Sequence, residues 1–127
     1  MILVDTDVLI WYLRGNEKAR SAIEALPTFA ISAVSYMELV QGMRNQRELV
    51  ELRKALREWK VDILYMDEEI SAKAMFLVER HFLSHSLRLA DALIASTALS
   101  NGLMIMTAND KHYKVINQLE IKVFRPD

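Results

Sequence analysis

The chain opens Met1-Ile2-Leu3-Val4-Asp5-Thr6-Asp7, and the reading of this stretch decides the fold. A short apolar, β-favouring run that stops abruptly at acidic residues reads as a buried strand with carboxylates at its C-terminal end. Val8 to Leu13 then predicts a helix, closed by Arg14, Gly15 and Asn16. Glu17 to Leu26 predicts a second helix, halted at Pro27, which disfavours helix in the residue before it. Phe29 to Ile31 reads as the next strand. Ser32 or Ser35 can cap the helix after it, which passes Glu38 and ends near Gly42.

The same alternation continues to the C-terminus. Over Gln46 to Lys60, Leu49, Leu52, Leu56 and Trp59 recur at helical steps with charges between them. Val61 to Tyr65 reads as a strand, and Asp67 can cap a long helix through Phe82 that fades in Ser84-His85-Ser86. Leu87 to Ser100 is a helix with Asn101-Gly102 as its stop, and Leu103 to Met106 is a strand leading into Thr107, Ala108, Asn109 and Asp110. A short helix can follow, and Ile121 to Phe124 is the last strand. Strands alternating with helices imply right-handed crossovers and a sheet covered on both faces. The expected fold is a three-layer α/β/α sandwich with a mainly parallel, roughly five-stranded sheet.

Composition agrees. The 127 residues suit one domain, 1–127, and 52% apolar with 26% charged residues excludes disorder as the default state. Three Gly and two Pro leave little material for the many turns of an all-β fold. The absence of Cys excludes disulfides, zinc-thiolate sites and thiol nucleophiles, and is compatible with a reducing compartment. Asp5 and Asp7 interrupt the apolar N-terminus, which therefore reads as neither a signal peptide nor a membrane span. The expected location is the cytoplasm, with no membrane partner. Sixteen basic against 17 acidic residues, a net charge of −1, argue against a basic sheath for nucleic acid but leave room for a local basic face.

In open α/β sheets, sites form outside the carboxyl ends of strands, and here those ends carry Asp5 and Asp7 after the first strand and Asp110 after the fourth. Each taken alone can be a helix cap. Asp91 is harder to explain that way. Its helical neighbours Ile94, Ala95 and Ala98 put it on an apolar stripe, where an ionised carboxylate loses hydration unless donors or a cation compensate. Glu38 lies between Met37 and Leu39 in an otherwise uncharged stretch, with Gly42 one turn on to let something approach closely. An exposed helical Glu is the plain alternative. Together these acids, without Cys or His among them, form a hard-oxygen set suited to Mg²⁺, with Mn²⁺ as a substitute, rather than to zinc.

Four segments carry a family resemblance: Ile2 to Asp7, Ser35-Tyr36-Met37-Glu38-Leu39-Val40-Gln41-Gly42, Leu89-Ala90-Asp91-Ala92-Leu93-Ile94-Ala95, and Met106-Thr107-Ala108-Asn109-Asp110-Lys111-His112-Tyr113. In this order and over nearly the whole chain they resemble the PIN-domain ribonucleases, most closely the VapC toxins of VapBC toxin–antitoxin systems. The resemblance implies a metal-dependent endoribonuclease in which Asp5, Glu38 and Asp91 bind Mg²⁺. A fourth acid often lies two residues beyond the Thr; here that place holds Asn109, with Asp110 one residue later, so either can supply the fourth ligand. Asp110 is taken with the other three as the catalytic and metal-binding set. Thr6, Asp7, Thr107 and Asn109 stand behind them, orienting the acids or a water. The resemblance further implies hydrolysis leaving a 5′-phosphate and a 3′-hydroxyl, a cognate VapB-like antitoxin and a twofold homodimer. Trp11, Tyr12 and Tyr36, apolar or aromatic beyond the needs of the core, suit that dimer.

Other features are weighed against this reading. His81 and His85 are spaced to share a metal on one helix, but their segment is polar and no acid accompanies them. Arg44, Arg47, Arg53, Arg57 and Lys60 give one helix a basic side, either a solvated face balanced by Glu48, Glu51 and Glu58 or a guide for RNA. The opening strand and Asp5-Thr6-Asp7 also fit haloacid-dehalogenase-like phosphohydrolases, with Asp5 as nucleophile, though that family has no role for an acid placed like Asp91. A non-catalytic PIN-like module that only binds RNA or a partner is the remaining alternative.

Overall fold

The structure, a computed structural model, describes residues 1–83 and 87–127. His85 lies outside the described residues. In chain order the elements are β1 (Ile2–Val4), α1 (Thr6–Leu13), α2 (Glu17–Glu24), β2 (Phe29–Ser32), α3 (Ala33–Gln41), α4 (Gln46–Trp59), β3 (Asp62–Leu64), α5 (Glu68–His81), α6 (Leu89–Ser100), β4 (Met104–Thr107), α7 (Asp110–Tyr113) and β5 (Ile121–Val123). The strands form one sheet in the order β3-β2-β1-β4-β5. Every pairing is parallel, with Leu3 opposite Ala30 on one side and Ile105 on the other.

Alternation along the strands separates two cores. Leu3, Ala30 and Ile105 face α5 and α6 through Ala74, Leu77, Ala92, Ile94, Ala95 and Ala98. Val4, Phe29, Ile31 and Met106 face the opposite way, onto Val8, Leu9, Ala19, Ile23 and Leu52 of α1, α2 and α4. Helix α3 reaches both, through Val34 and Leu39. Three layers follow, as expected from a sheet apolar on both faces.

Most helix starts fall where capping chemistry puts them. Ser32 caps α3, Asn45 caps α4 and Asp67 caps α5, each accepting from a backbone N–H. Helix α1 begins two residues earlier than its apolar pattern, because Asp5 is itself the cap, accepting from Thr6 N. Tyr12 is less free than the sequence implied. It packs edge-on against Trp59, ring centroids 4.9 Å apart, and Trp11, Tyr12 and Tyr36 all lean on the α1–α2–α4 core. Among the described residues no helix is long and apolar enough to cross a membrane.

Candidate active site

Strands β1, β2 and β3 step outward in one direction and β4 and β5 in the other, so the strand order reverses between β1 and β4. A crevice opens outside the carboxyl ends of strands at such a point. Asp5 follows β1 there, and Thr107 ends β4 beside it.

The two strand ends are joined by a hydroxyl. Asp5 is buried; its Oδ1 accepts from Thr6 N at 2.8 Å and its Oδ2 from Thr107 Oγ1 at 2.8 Å. Thr107 Oγ1 lies 3.3 Å from Asp7 Oδ2, and accepts from Asn109 N at 2.9 Å. Asp7 is fixed in turn by Val8 N at 2.7 Å and Ala108 N at 3.0 Å. Burial first, and then the neighbouring Asp7, push the Asp5 carboxyl up to about 7, against the opposing pull of its Thr107, Thr6 and Tyr113 donors. Burial likewise raises Asp7, opposed chiefly by the Ala108 and Val8 backbone donors. Among the described residues, the groups acting on Asp5 include no cation. Two acids this close, in so little water, favour the arrival of a positive charge.

Asp91 approaches from the other core. It sits in the first turn of α6, where its Oδ2 accepts from Arg88 N at 3.0 Å and lies 3.3 Å from His112 Nδ1. Its predicted stripe is real, since Ile94, Ala95 and Ala98 are buried. The hydroxyl of Tyr113, a residue with no exposed surface, lies 3.5 Å from Asp91 Oδ1, at the outer limit of a hydrogen bond, and also acts on the Asp5 carboxyl. Burial together with these acids holds the phenol neutral, far above its ordinary range. Tyr113 thus stands between Asp5 and Asp91.

With these contacts in view, the chain matches the description of the PIN domain over residues 2–118. It belongs to the PIN-domain family. Ribonuclease VapC10 of Mycobacterium tuberculosis is 40% identical over 125 residues, covering 94% of this chain and 91% of that protein. Ribonuclease VapC1 of Methanocaldococcus jannaschii is 32% identical over 129 residues, covering 97% and 86%. Among solved structures, a toxin–antitoxin complex from Klebsiella pneumoniae holds a chain that matches with a TM-score of 0.80 and 29% identity, over 100% of this chain and 98% of that one. The chain thus stands in the VapC group of PIN domains, and the all-parallel sheet is the PIN fold.

Within this PIN domain the four expected metal-binding acids do not all lie together. Glu38 is exposed rather than core-facing, yet its Oε1 lies 2.7 Å from Thr6 Oγ1, with Ser35 Oγ 2.9 Å from the same hydroxyl. A carboxylate can only accept, so Thr6 donates to Glu38 and Ser35 donates to Thr6. Glu38 is in this way tied to the residue whose backbone N–H Asp5 caps. Gly42 makes no opening beside it: a Cβ there would meet Glu38 O at 3.6 Å, ordinary contact.

Asp110 stands apart. It is buried, with Lys114 Nζ 3.0 Å from its Oδ2 and Arg125 Nη2 2.9 Å from its Oδ1. The hydrogen bonds from Lys114 and then Arg125 hold its carboxyl down at about 2. Both oxygens are therefore already engaged by cations, and the structure does not bring them to the cluster. Asn109, exposed, meets the cluster through its backbone N–H to Thr107 rather than through its side chain.

Among the described residues no three His, Cys, Asp or Glu side chains are drawn close enough to hold one ion. The acids meet through Thr107, Thr6 and Tyr113 instead. The donor set nevertheless fits a hard divalent cation: it is all oxygen, and its buried member, Asp5, is short of positive charge. His81 is buried on α5, outside this cluster.

Sequence reasoning missed Ser35, His112 and Tyr113 as parts of the site. Tyr113 carried a usable signal, because a phenol on the inner side of a short helix needs a buried partner for its hydroxyl. Ser35 is a capping candidate in the sequence, but Ser32 takes that place one turn earlier.

Proposed function

We propose that this chain is a Mg²⁺-dependent endoribonuclease acting as the toxin of a type II toxin–antitoxin pair, in the cytoplasm. The observation that carries the reading is the junction of Asp5, Asp7 and Asp91 through the Thr107 and Tyr113 hydroxyls at the point where the strand order reverses. That its relatives are named ribonucleases supports the same activity here.

Asp5 and Asp91 would hold the ion, with Glu38 and Asp7 at its margins and Mn²⁺ able to substitute. When bound, the ion would supply Lewis-acid stabilisation of the phosphate and a more acidic water for attack on phosphorus. The protein's own contribution is placement. Thr107 and Thr6 keep one oxygen of Asp5 each, so the carboxylate cannot rotate freely. Asp91 is pinned by the first turn of α6, and Tyr113 fills the space between the two acids. Hydrolysis would leave a 5′-phosphate and a 3′-hydroxyl.

Asp110 serves this site from outside it, anchored to Lys114 and Arg125 rather than to the ion. The phosphohydrolase alternative finds no support in the groups around Asp5, which include no lysine among the described residues. A VapB-like antitoxin as partner is supported by the toxin–antitoxin complex among the structural neighbours. A homodimer would use exposed apolar side chains such as Met37 on α3 and Met75 and Phe76 on α5. Light scattering on the purified protein checks it. The direct test of function is to sequence RNA 5′ ends after brief induction, with Asp91→Asn in parallel. Discrete new 5′-phosphate ends that disappear in the variant are expected; the same ends in a folded Asp91→Asn protein would overturn the assignment.

A further inference from the structure

A second pocket adjoins the acids and has the opposite character. It is a cavity of about 340 Å³ lined by Ala108, Asn109, Asp110, Lys111, His112 and Arg125. Its wall is shared with the acid cluster at two places. Asn109 N donates to the same Thr107 hydroxyl that donates to Asp5, and His112 Nδ1 lies 3.3 Å from Asp91.

The pocket is built around Arg125. The backbone on one side of it is fixed by Phe124 N donating to Thr107 O at 2.8 Å, and on the other by Asn16 Nδ2 donating to Pro126 O at 2.9 Å. Its guanidinium donates from Nη1 to Ala108 O at 2.9 Å and from Nη2 to Asp110 Oδ1 at 2.9 Å. Those bonds use two of the five N–H groups that a guanidinium carries, and the side chain is still 56% exposed. The fork is therefore held in place by two bonds, with more than half of the side chain still open to solvent beside the pocket. Lys111, exposed, adds a second positive charge on the same rim. Lys114 on the other oxygen of Asp110 leaves the Asp110–Arg125–Lys114 group with a net positive charge. An oriented guanidinium and an ammonium beside an anionic metal site suit an anion that accompanies the cleaved phosphodiester.

We propose that Arg125 and Lys111 form a phosphate-binding pocket for the RNA backbone immediately next to the phosphodiester that is cut, with Asp110 serving to aim Arg125. This rests on the ribonuclease reading above. It gives the acid at position 110 a task other than holding metal: it spends its charge on orienting a cation toward the substrate.

The test is fluorescence anisotropy with a labelled single-stranded RNA oligonucleotide of mixed sequence, in EDTA, over a range of salt concentrations. Arg125→Ala and Lys111→Ala should each weaken binding about three- to tenfold at low salt and lower the salt slope by about one. Lys73→Ala, on α5 and paired with Glu69, should change neither quantity. With Mg²⁺ present, the two pocket variants should raise KM for RNA and leave kcat near that of the wild type. Lys111 is exposed and its side chain makes no bond among the described residues, so its variant reports on the pocket even if Arg125→Ala misfolds. Wild-type affinity and salt slope in folded Lys111→Ala, or in folded Arg125→Ala, alongside normal cleavage, would overturn the pocket and leave the ribonuclease reading standing. A wild-type protein that neither binds nor cuts RNA would overturn both.

Discussion

Replacing Asp5 by Asn should make the metal-free protein more stable while abolishing its activity. Lifting the Asp5 carboxyl from 3.8 to about 7 means that ionisation opposes folding. Between those values the folded protein holds a proton that the unfolded chain releases, so stability falls as pH rises through that window and the loss is complete above it. At pH 8 the full cost of the ionised group is about 4 kcal/mol. Asn carries no charge to desolvate and keeps one acceptor for Thr6 N, but meets Thr107 Oγ1 with an amide nitrogen instead of an oxygen. That mismatch returns about 2 kcal/mol of the gain. The net expectation at pH 8 is about 2 kcal/mol of added stability, a rise of about 6–10 °C in Tm for a chain of this size. Thermal melts followed by circular dichroism in EDTA at pH 5 and pH 8 measure it. The wild type should be the less stable at pH 8, and Asp5→Asn should show a clearly smaller drop, the part left to Asp7, which burial also raises. Saturating Mg²⁺ should then stabilise the wild type at pH 8 and leave the variant unmoved. A variant that melts below the wild type at pH 8 and keeps the same dependence on pH would refute the claim that Asp5 is a strained, uncompensated carboxylate.

Other expectations follow from single contacts. Tyr113→Phe keeps the buried ring and loses the hydroxyl between Asp5 and Asp91, so it should cost about 1 kcal/mol of stability and weaken Mn²⁺ binding several-fold in a spin-resonance titration. Asp110→Ala should leave Mn²⁺ affinity unchanged, because both its oxygens are already held by Lys114 and Arg125; a large loss of metal affinity would restore it as a ligand. Lys60 ends α4 in the left-handed region at φ 53°, so Lys60→Gly should raise stability by about 0.5–1 kcal/mol in urea titrations. An isolated antitoxin tail carrying an Arg or Lys should inhibit RNA cleavage less as Mg²⁺ is raised, if that cation occupies the acids; inhibition indifferent to Mg²⁺ would mean that the tail blocks RNA access instead.

The fold was legible because its signals are local. Apolar runs of strand length, caps at Ser32 and Asp67, and the Leu49–Leu52–Leu56–Trp59 spacing each act within a turn or a strand. The starting point of α1 was misplaced for an instructive reason. Asp5 is both a cap and a member of the acid cluster, and the two readings, weighed against each other in the sequence, turn out not to compete. Capping fixes one oxygen through Thr6 N and leaves the other to face Thr107.

The site was legible only in part, because its partnerships span the chain. Periodicity put Asp91 on a buried stripe, and strand ends put Asp5 and Asp7 at the crevice, since both are one-dimensional patterns. Nothing in one dimension says that Thr107 reaches Asp5 across 102 residues, or that Arg125 reaches back to Asp110 across 15. The choice between Asn109 and Asp110 turned on that second contact. Asp110 looked like a displaced fourth ligand because it is acidic and lies at the end of β4. Its charge is instead held by Arg125 and Lys114, so the side of the crevice next to β5 is lined by cations, while on the side next to β1 no cation among the described residues acts on Asp5. A crevice divided in this way has one wall that favours a divalent cation and another that favours the phosphate chain the cation would act on. That division follows from where the positive side chains fall in three dimensions, and a net charge of −1 conceals it.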